Sequence, residues 1–192
     1  MRTCVCPWIT RLGWLALASA VPMLAGCNPP SRAEALRRAQ EMLPRALVHE
    51  EPTVRSLALE AYRDLGRPPP KDALGGLLRA ERESVRFTAM LLKAERAGKG
   101  DLRLFRRVYR TDRSPSVRLA AVYGMARQGD VSRMEALAEG LAAKDPVVRR
   151  NAATILGLLD NPSAVPMLRE RMKQDEDPVV RSNVNRALRD EE

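Results

Sequence analysis

The side chains that most often carry out chemistry in proteins are scarce in this 192-residue sequence, which contains one histidine and three cysteines. The histidine, His49, lacks the neighbouring serine or cysteine motif that would make it a general base. Histidine and cysteine are also too few for an ordinary metal site, and no Gly-rich phosphate-binding loop is found. The adjacent acids Asp175, Glu176 and Asp177 are interpreted as helix caps in a turn. The sequence therefore predicts no catalytic residue, no metal, no cofactor and no small-molecule substrate.

Cys27 is the cysteine whose surroundings indicate a modification. It follows an uncharged apolar stretch, Leu12 to Ala25, which is shorter than the about 20 residues of a membrane-spanning helix and has the layout of an export signal. The stretch leads into Leu24-Ala25-Gly26-Cys27, which resembles the lipobox of bacterial lipoproteins. That resemblance implies a signal peptide at 1–26 and acylation of the Cys27 sulfur. The other two cysteines lie within the signal, so no disulfide is expected.

Such an anchor would determine where the folded part lies. Residues 27–32 would form the lipidated cysteine and a proline-stiffened tether that reaches about 15 Å. The body would then lie close to a membrane of the bacterial cell envelope, facing the periplasm or the exterior. In enterobacterial lipoproteins, an Asp directly after the lipidated cysteine favours retention in the inner membrane. This chain has Asn28 at that position, which favours the outer membrane. The alternative is ordinary signal cleavage after Ala18-Ser19-Ala20, which would leave Cys27 as a free thiol.

The dipeptide Val-Arg recurs at steps of 31 or 32 residues and reveals an internal repeat. Its five copies are Val54-Arg55, Val85-Arg86, Val117-Arg118, Val148-Arg149 and Val180-Arg181. In four copies a proline lies two residues before the valine, and in four copies an alanine lies three residues after the arginine. A small residue at a fixed helical position allows neighbouring helices to approach closely.

The fourth repeat shows most clearly what one unit is. Asp145 can cap a helix in which Pro146 occupies the first position, and apolar residues follow at three- and four-residue intervals. Asp160-Asn161-Pro162 ends this helix, and a second apolar stripe begins at Val165. Each unit is therefore predicted to be a hairpin of two short helices, which must stack on its neighbours to bury both faces.

This pattern resembles the short bacterial HEAT-like repeats, also called PBS-lyase HEAT repeats, from about Glu50 to the C-terminus. The resemblance, with aromatic residues at only 4%, predicts an all-α, right-handed α-solenoid of about four and a half HEAT-like helical hairpins. The predicted boundaries are a capping helix at 33–49 and a repeat array at 50–192. Its units are 50–80, 81–110, 111–141, 142–172 and a half repeat at 173–192.

The five repeat arginines would form a row along the stack: Arg55, Arg86, Arg118, Arg149 and Arg181. In HEAT-like stacks such an arginine typically pairs with an acid or a backbone carbonyl of a neighbouring unit. Asp145 and Asp177 are the predicted acids, because they lie four residues before Arg149 and Arg181. A structural ladder is therefore preferred over contact with a ligand, which is the alternative.

A second group of arginines, called the basic face below, lies on the second helix of the second repeat. It consists of Arg103, Arg106, Arg107 and Arg110, whose spacing places them on one side of a helix, with Tyr109 at the margin. The resemblance implies that second helices line the concave surface, the usual partner-binding side. The basic face is therefore predicted to bind an anionic protein or another anionic envelope component. The alternative is a solvated surface.

The formal charge of +9 is compatible with nucleic acid, an anionic membrane or an acidic partner. The resemblance favours a non-catalytic, membrane-anchored interaction or scaffold protein. Two alternatives are a bilin lyase or isomerase, after which the repeat is named, and a nucleic-acid-binding helical-repeat protein. The export signal argues against both, and nucleic acid is not the expected partner.

Overall fold

The computed structural model describes residues 31–98, 100–159 and 162–189, and every regular element within these ranges is helical. This confirms the all-α helical-repeat fold. One 3₁₀ turn, Pro162–Ala164, precedes the ninth α-helix. The α-helices, numbered along the chain, are α1 (Arg32–Ala46), α2 (Pro52–Asp64), α3 (Lys71–Leu77), α4 (Glu83–Glu95), α5 (Leu102–Thr111), α6 (Pro115–Arg127), α7 (Glu135–Leu141), α8 (Pro146–Leu158), α9 (Val165–Gln174) and α10 (Pro178–Arg189).

Helices α2, α4, α6, α8 and α10 carry the Val-Arg dipeptides and are called the VR helices below. Their starts follow the predicted capping chemistry, because Pro52, Pro115 and Pro146 occupy the first turn of their helices. The carboxylate of Asp145 accepts the backbone N–H of Val147 at 2.8 Å, which satisfies one of the free donors at the start of α8. The prediction for the start of this helix is confirmed.

The VR helices stack on one another in chain order and form one continuous row. Helices α3, α5, α7 and α9, called the short helices below, have 7 or 10 residues each. Each short helix packs most closely against the VR helix that follows it, and α1 packs against α2 in the same way. The described chain is therefore built from helix pairs in the order α1–α2, α3–α4, α5–α6, α7–α8 and α9–α10.

This pairing differs in phase from the predicted boundaries. The predicted unit 142–172 would pair α8 with α9, but α9 packs on α10. The last segment, predicted as a half repeat, is therefore the second helix of the α9–α10 hairpin. The reason is the length of the connections. Three residues separate α9 from α10, whereas six separate α8 from α9, and an αα-hairpin needs a loop of about 2–5 residues. The predicted capping helix is likewise half of the first hairpin.

Small residues bring neighbouring helices close together in the core. Ala89, Ala121 and Ala152, which follow the repeat arginines by three residues, are completely buried, as the repeat pattern predicts. Gly157 of α8 lies directly against Ala187 of α10, and a Cβ atom at position 157 would be 2.9 Å from the Ala187 Cα atom. This contact leaves no space for a side chain.

None of the helices in the described part of the chain is both long and apolar enough to cross a membrane.

Candidate functional site

A groove with a volume of about 340 Å³ crosses the row of VR helices, and it is called the VR groove below. The side chains that line it come from all five VR helices: Glu60 and Arg63 of α2; Glu83, Ser84, Phe87 and Thr88 of α4; Ser116 of α6; Val147, Arg150, Asn151 and Thr154 of α8; and Asn183 and Arg186 of α10. Because the first and last VR helices border the same groove, the row curves around it. The VR helices therefore line the concave side of the array.

This geometry corrects the expectation that α5 lies on the concave surface, because the second helices of the hairpins, which line that surface, are the VR helices. The short helices, including α5 with its basic face, pack on the other side of the VR row. The VR helices contact one another directly through small residues, whereas the short helices contact mainly the VR helices. The more closely packed row lies on the inside of the curve.

Neutral polar side chains form much of the floor of the VR groove. Some are bonded within the protein, since the Thr154 hydroxyl donates to the Arg150 carbonyl at 3.0 Å and the Asn183 amide donates to the Val179 carbonyl at 2.9 Å. Ser116 differs, because its hydroxyl is buried and no hydrogen-bond partner is found for it among the described residues. The side-chain amide of the buried Asn151 also makes no hydrogen bond within these residues. The floor thus carries unused hydrogen-bonding capacity.

The charges along the VR groove are unevenly distributed. Glu60, Arg63 and Glu83 lie at the α2–α4 end, where the acids outnumber the arginine, and Arg150 and Arg186 lie at the α8–α10 end. Within the described residues neither of these two arginines forms an ion pair. The α8–α10 end is therefore a cationic surface that is open to an anionic group.

Beside Arg63, the ends of α4 and α6 carry a further charged group. Burial raises the pKa of the Glu95 carboxyl, although the positive charges of Arg63, Arg96 and Arg127 each lower it. The Arg127 guanidinium lies 5.9 Å from the centre of the Tyr123 ring. Burial also raises the pKa of Tyr123.

All five repeat arginines make the same backbone contacts. In each, the Nη1 atom donates to the carbonyls of the residues six and five positions earlier, in the connection before its own helix. Arg149, for example, donates to the carbonyls of Ala143 at 3.0 Å and Lys144 at 2.8 Å. These bonds satisfy carbonyls that the loop would otherwise leave unpaired. The row of arginines thus holds the hairpin turns.

Two of these arginines, Arg86 and Arg149, also bind a carboxylate 26 residues later. Arg149 donates through Nε and Nη2 to both oxygens of Asp175, at 2.7 and 2.9 Å, and the Asp175 side chain is 0% exposed. Arg86 binds Asp112 in the same bidentate manner, at 3.0 Å for both bonds. Each pair connects two successive hairpin turns.

The acids that bind the arginines therefore differ from the predicted ones. Asp145 and Asp177 lie four residues before Arg149 and Arg181, but their carboxylates accept backbone N–H groups at the starts of α8 and α10. A carboxylate at the N-cap position faces the free N–H groups of the first turn. Asp175 occupies the position that the guanidinium reaches.

The pKa values of the two buried partners follow from these contacts. The Arg149 hydrogen bonds lower the pKa of Asp175 despite the opposing effect of burial. Burial raises the pKa of Asp112, but the hydrogen bonds from Arg86 and from the Ser114 N–H outweigh this effect, and the resulting pKa is lowered.

The basic face lies on the exposed side of α5, while Phe105 on the same helix is buried against α6. Arg103, Arg107 and Arg110 are exposed and form no ion pair within the described part of the chain. Arg106 differs from them, because its guanidinium binds the carboxylate of Asp130 at 2.7 Å. Three of the four predicted arginines are therefore available to a partner.

Tyr109 lies at the margin of the basic face, partly buried, where the Arg133 guanidinium is 5.6 Å from the centre of its ring. His49 is exposed, and its Nδ1 atom accepts the Glu51 N–H at 3.1 Å in the turn before α2. No cluster of three or more possible metal ligands is found among the described residues. Cys27 and the signal segment lie outside the described residues.

The order of the hairpins also explains what the sequence comparisons find. Residues 103–189 match the family model of HEAT repeats. The match begins at the start of α5 and ends with α10, so it covers three complete helix pairs in the phase of the structure. No curated protein matches the chain. The similarity supports HEAT-like repeats, which typically mediate protein–protein interaction or scaffolding.

Proposed function

We propose that the protein is a non-catalytic scaffold that holds an extended segment of a partner polypeptide in the VR groove. The observation that carries the proposal is that one polar groove crosses all five VR helices. An elongated ligand is needed to contact side chains on every one of them. The similarity to HEAT repeats, which typically mediate protein–protein interaction or scaffolding, supports a protein partner.

The chemistry of the VR groove suits a peptide backbone. An extended segment exposes an N–H and a carbonyl at every residue, and hydroxyl and amide side chains can both donate to and accept from them. Asn151 at the floor of the groove makes no side-chain hydrogen bond within the described residues and retains this capacity. The free Arg150 and Arg186 favour an acidic residue at the α8–α10 end. The proposed partner is thus an anionic polypeptide.

A matched pair of variants on α10 tests this proposal. Asn183 lines the groove, whereas Asn185 is exposed on another side of the same helix. In a crosslinking pull-down from the cell envelope, Asn183→Glu should abolish capture of the anionic partner, because it places a negative charge at the α8–α10 end of the groove. Asn185→Glu should capture the partner as the wild type does. Equal yields from both variants would contradict binding in the groove.

The basic face of α5 is proposed as a second surface for an acidic partner, on the convex side. Its support is the set of three exposed arginines that lack an ion pair among the described residues. Exchange of Arg103, Arg107 and Arg110 for Gln keeps helix propensity and leaves the Arg106–Asp130 pair intact. Partner capture should fall, and capture by the wild type should also fall as salt rises. The control exchanges the exposed Arg169 and Lys173 of α9 for Gln, and equal capture by both variants would exclude this surface.

Anchoring of the mature protein to a cell-envelope membrane through acylated Cys27 is the third part of the proposal. It is supported by Leu24-Ala25-Gly26-Cys27 at the end of the apolar stretch. Mass spectrometry of the protein purified from membranes should find an acylated N-terminal cysteine, and Cys27→Ser should abolish the modification. An unmodified N-terminus at Val21 would instead support ordinary signal cleavage.

A further inference from the structure

The first hairpin exposes an apolar groove at the N-terminal end of the array, called the α1–α2 groove below. Met42 is 67% and Leu57 is 58% exposed at its rim, and Leu43, Ala46 and Ala58 belong to its lining. The groove has a volume of about 500 Å³. The outer face of a terminal unit in a solenoid is ordinarily polar, because no further unit covers it. An apolar face at this position indicates that something else covers it.

Two exposed arginines of α1 border this apolar surface. Arg38 lines the α1–α2 groove, and Arg45 follows Met42 by three residues, which makes the two positions neighbours on the helix surface. Arg38 binds Glu34 at 2.5 Å, and Arg45 forms no ion pair within the described residues. Apolar side chains bordered by arginines suit the interface of an anionic bilayer, where the former enter the acyl boundary and the latter face the headgroups.

The position of the hairpin in the chain identifies the bilayer as the occupant. Ser31, whose hydroxyl accepts the Glu34 N–H, begins α1 only four residues after Cys27. Four extended residues reach about 14 Å at most, and Met42 lies about 16 Å further along the helix axis. When α1 lies parallel to the membrane, this tether brings the whole α1–α2 groove to the headgroup region.

We infer that the α1–α2 groove is a membrane-contact surface that lays the first hairpin on the bilayer, with Met42 and Leu57 entering the interface. This inference rests on the proposed acylation of Cys27. It adds an orientation to the anchor, because attachment at one residue does not by itself determine which face of the body meets the bilayer.

Tryptophan fluorescence can test this contact, because both native tryptophans, Trp8 and Trp14, lie before Cys27. The full chain carrying Met42→Trp would be expressed, processed and purified as the mature lipoprotein. It would then be placed in vesicles of brominated phosphatidylcholine with an anionic lipid. The matched control is Val131→Trp, since Val131 is also strongly exposed but lies in the connection between α6 and α7. Leu57→Trp serves as a second probe, and circular dichroism verifies that every variant is folded.

The inference predicts that brominated lipid removes most of the emission from the indoles at positions 42 and 57 and little from the indole at 131. If the protein is acylated but the indoles at positions 42 and 57 are quenched no more than the indole at 131, the membrane-contact inference is overturned and the proposed acylation is not. If quenching is absent and the vesicle-bound protein forms dimers, the groove is assigned to a second copy of the chain, and the membrane-contact inference is also overturned. Protein that mass spectrometry finds unacylated overturns both the anchor and this inference.

Discussion

At the scale of single residues, the guanidinium groups of Arg86 and Arg149 each satisfy acceptors in two successive turns. Arg149 binds two carbonyls before α8 and both oxygens of Asp175 after α9. Removing one partner of a buried ion pair leaves the other charge uncompensated, which destabilises a protein strongly. The backbone contacts that all five repeat arginines share are a structural reason for the recurrence of arginine at this position.

Asp175→Asn should therefore destabilise the protein by about 2 kcal/mol, the usual contribution of hydrogen bonds to a charged group. Asparagine retains an oxygen that can accept the Asp177 N–H, which Asp175 binds at 3.0 Å, so the substitution chiefly removes the charge. Urea unfolding measures the change. The control Glu176→Gln removes an exposed neighbouring charge and should alter stability little, and an equal loss from both variants would contradict the assigned pair.

The same pair predicts a pH dependence. The pKa of Asp175 is lowered in the folded protein by the Arg149 hydrogen bonds, so the folded state holds its proton less tightly than the unfolded state. The stabilisation is complete above the unfolded pKa of about 3.9 and is lost as the pH falls through the lower folded value. The stability difference between wild type and Asp175→Asn should be constant near pH 7 and shrink below about pH 4. A difference that grows on acidification would show the opposite linkage.

At the scale of helices, the sequence predicts the VR helices, the Asp145 cap of α8 and the buried alanines, because these depend on residues within one helix. The phase of the hairpins was missed, since a repeat with one period can be divided at any point. The three-residue connection between α9 and α10 is the signal that could have decided it. Asp112 and Asp175 were missed for a related reason, because they lie 26 residues from their arginines and belong to another turn.

Truncation tests the phase of the hairpins. A chain that ends after Leu159 retains the four helix pairs from α1–α2 to α7–α8, and it should fold cooperatively because solenoid stability is roughly a sum over units and their interfaces. Extension to Gln174 adds α9 without α10, its main packing partner, so it should add no stability. A clear gain in the urea midpoint on adding α9 would instead favour the α8–α9 pairing.

The contact between α8 and α10 depends on a missing side chain. Gly157→Ala should destabilise the protein by about 1–3 kcal/mol through overpacking, because the new Cβ atom would lie 2.6 Å from the Ala187 Cβ atom. The control is Gly75→Ala in α3, where a Cβ atom meets nothing within 4 Å and the higher helix propensity of alanine should be neutral or stabilising. Thermal unfolding distinguishes the two, and a stabilised Gly157→Ala protein would contradict the close packing.

At the scale of the whole molecule, the curvature of the array decides which residues a partner meets. The exposure of the arginines of the basic face could be predicted from their spacing along α5, because helical periodicity determines which side chains share one face of a helix. The concave side could not, because the rule that second helices line it depends on the phase of the hairpins, which the repeat period leaves open. The VR groove consequently brings together residues that lie as far apart in sequence as Glu60 and Arg186. The proposed partner would be held on the inside of the curve, with the basic face of α5 on the outside.

The measurement that tests the scaffold proposal most directly is site-specific photo-crosslinking in cells. A photoreactive residue at Val147, in the VR groove, is compared with one at Glu135, which is exposed on α7 on the convex side. The proposal predicts a discrete crosslinked polypeptide from position 147 that Asn183→Glu eliminates and Asn185→Glu does not. Crosslinks only from position 135, or products at position 147 that are unchanged in Asn183→Glu, would contradict it.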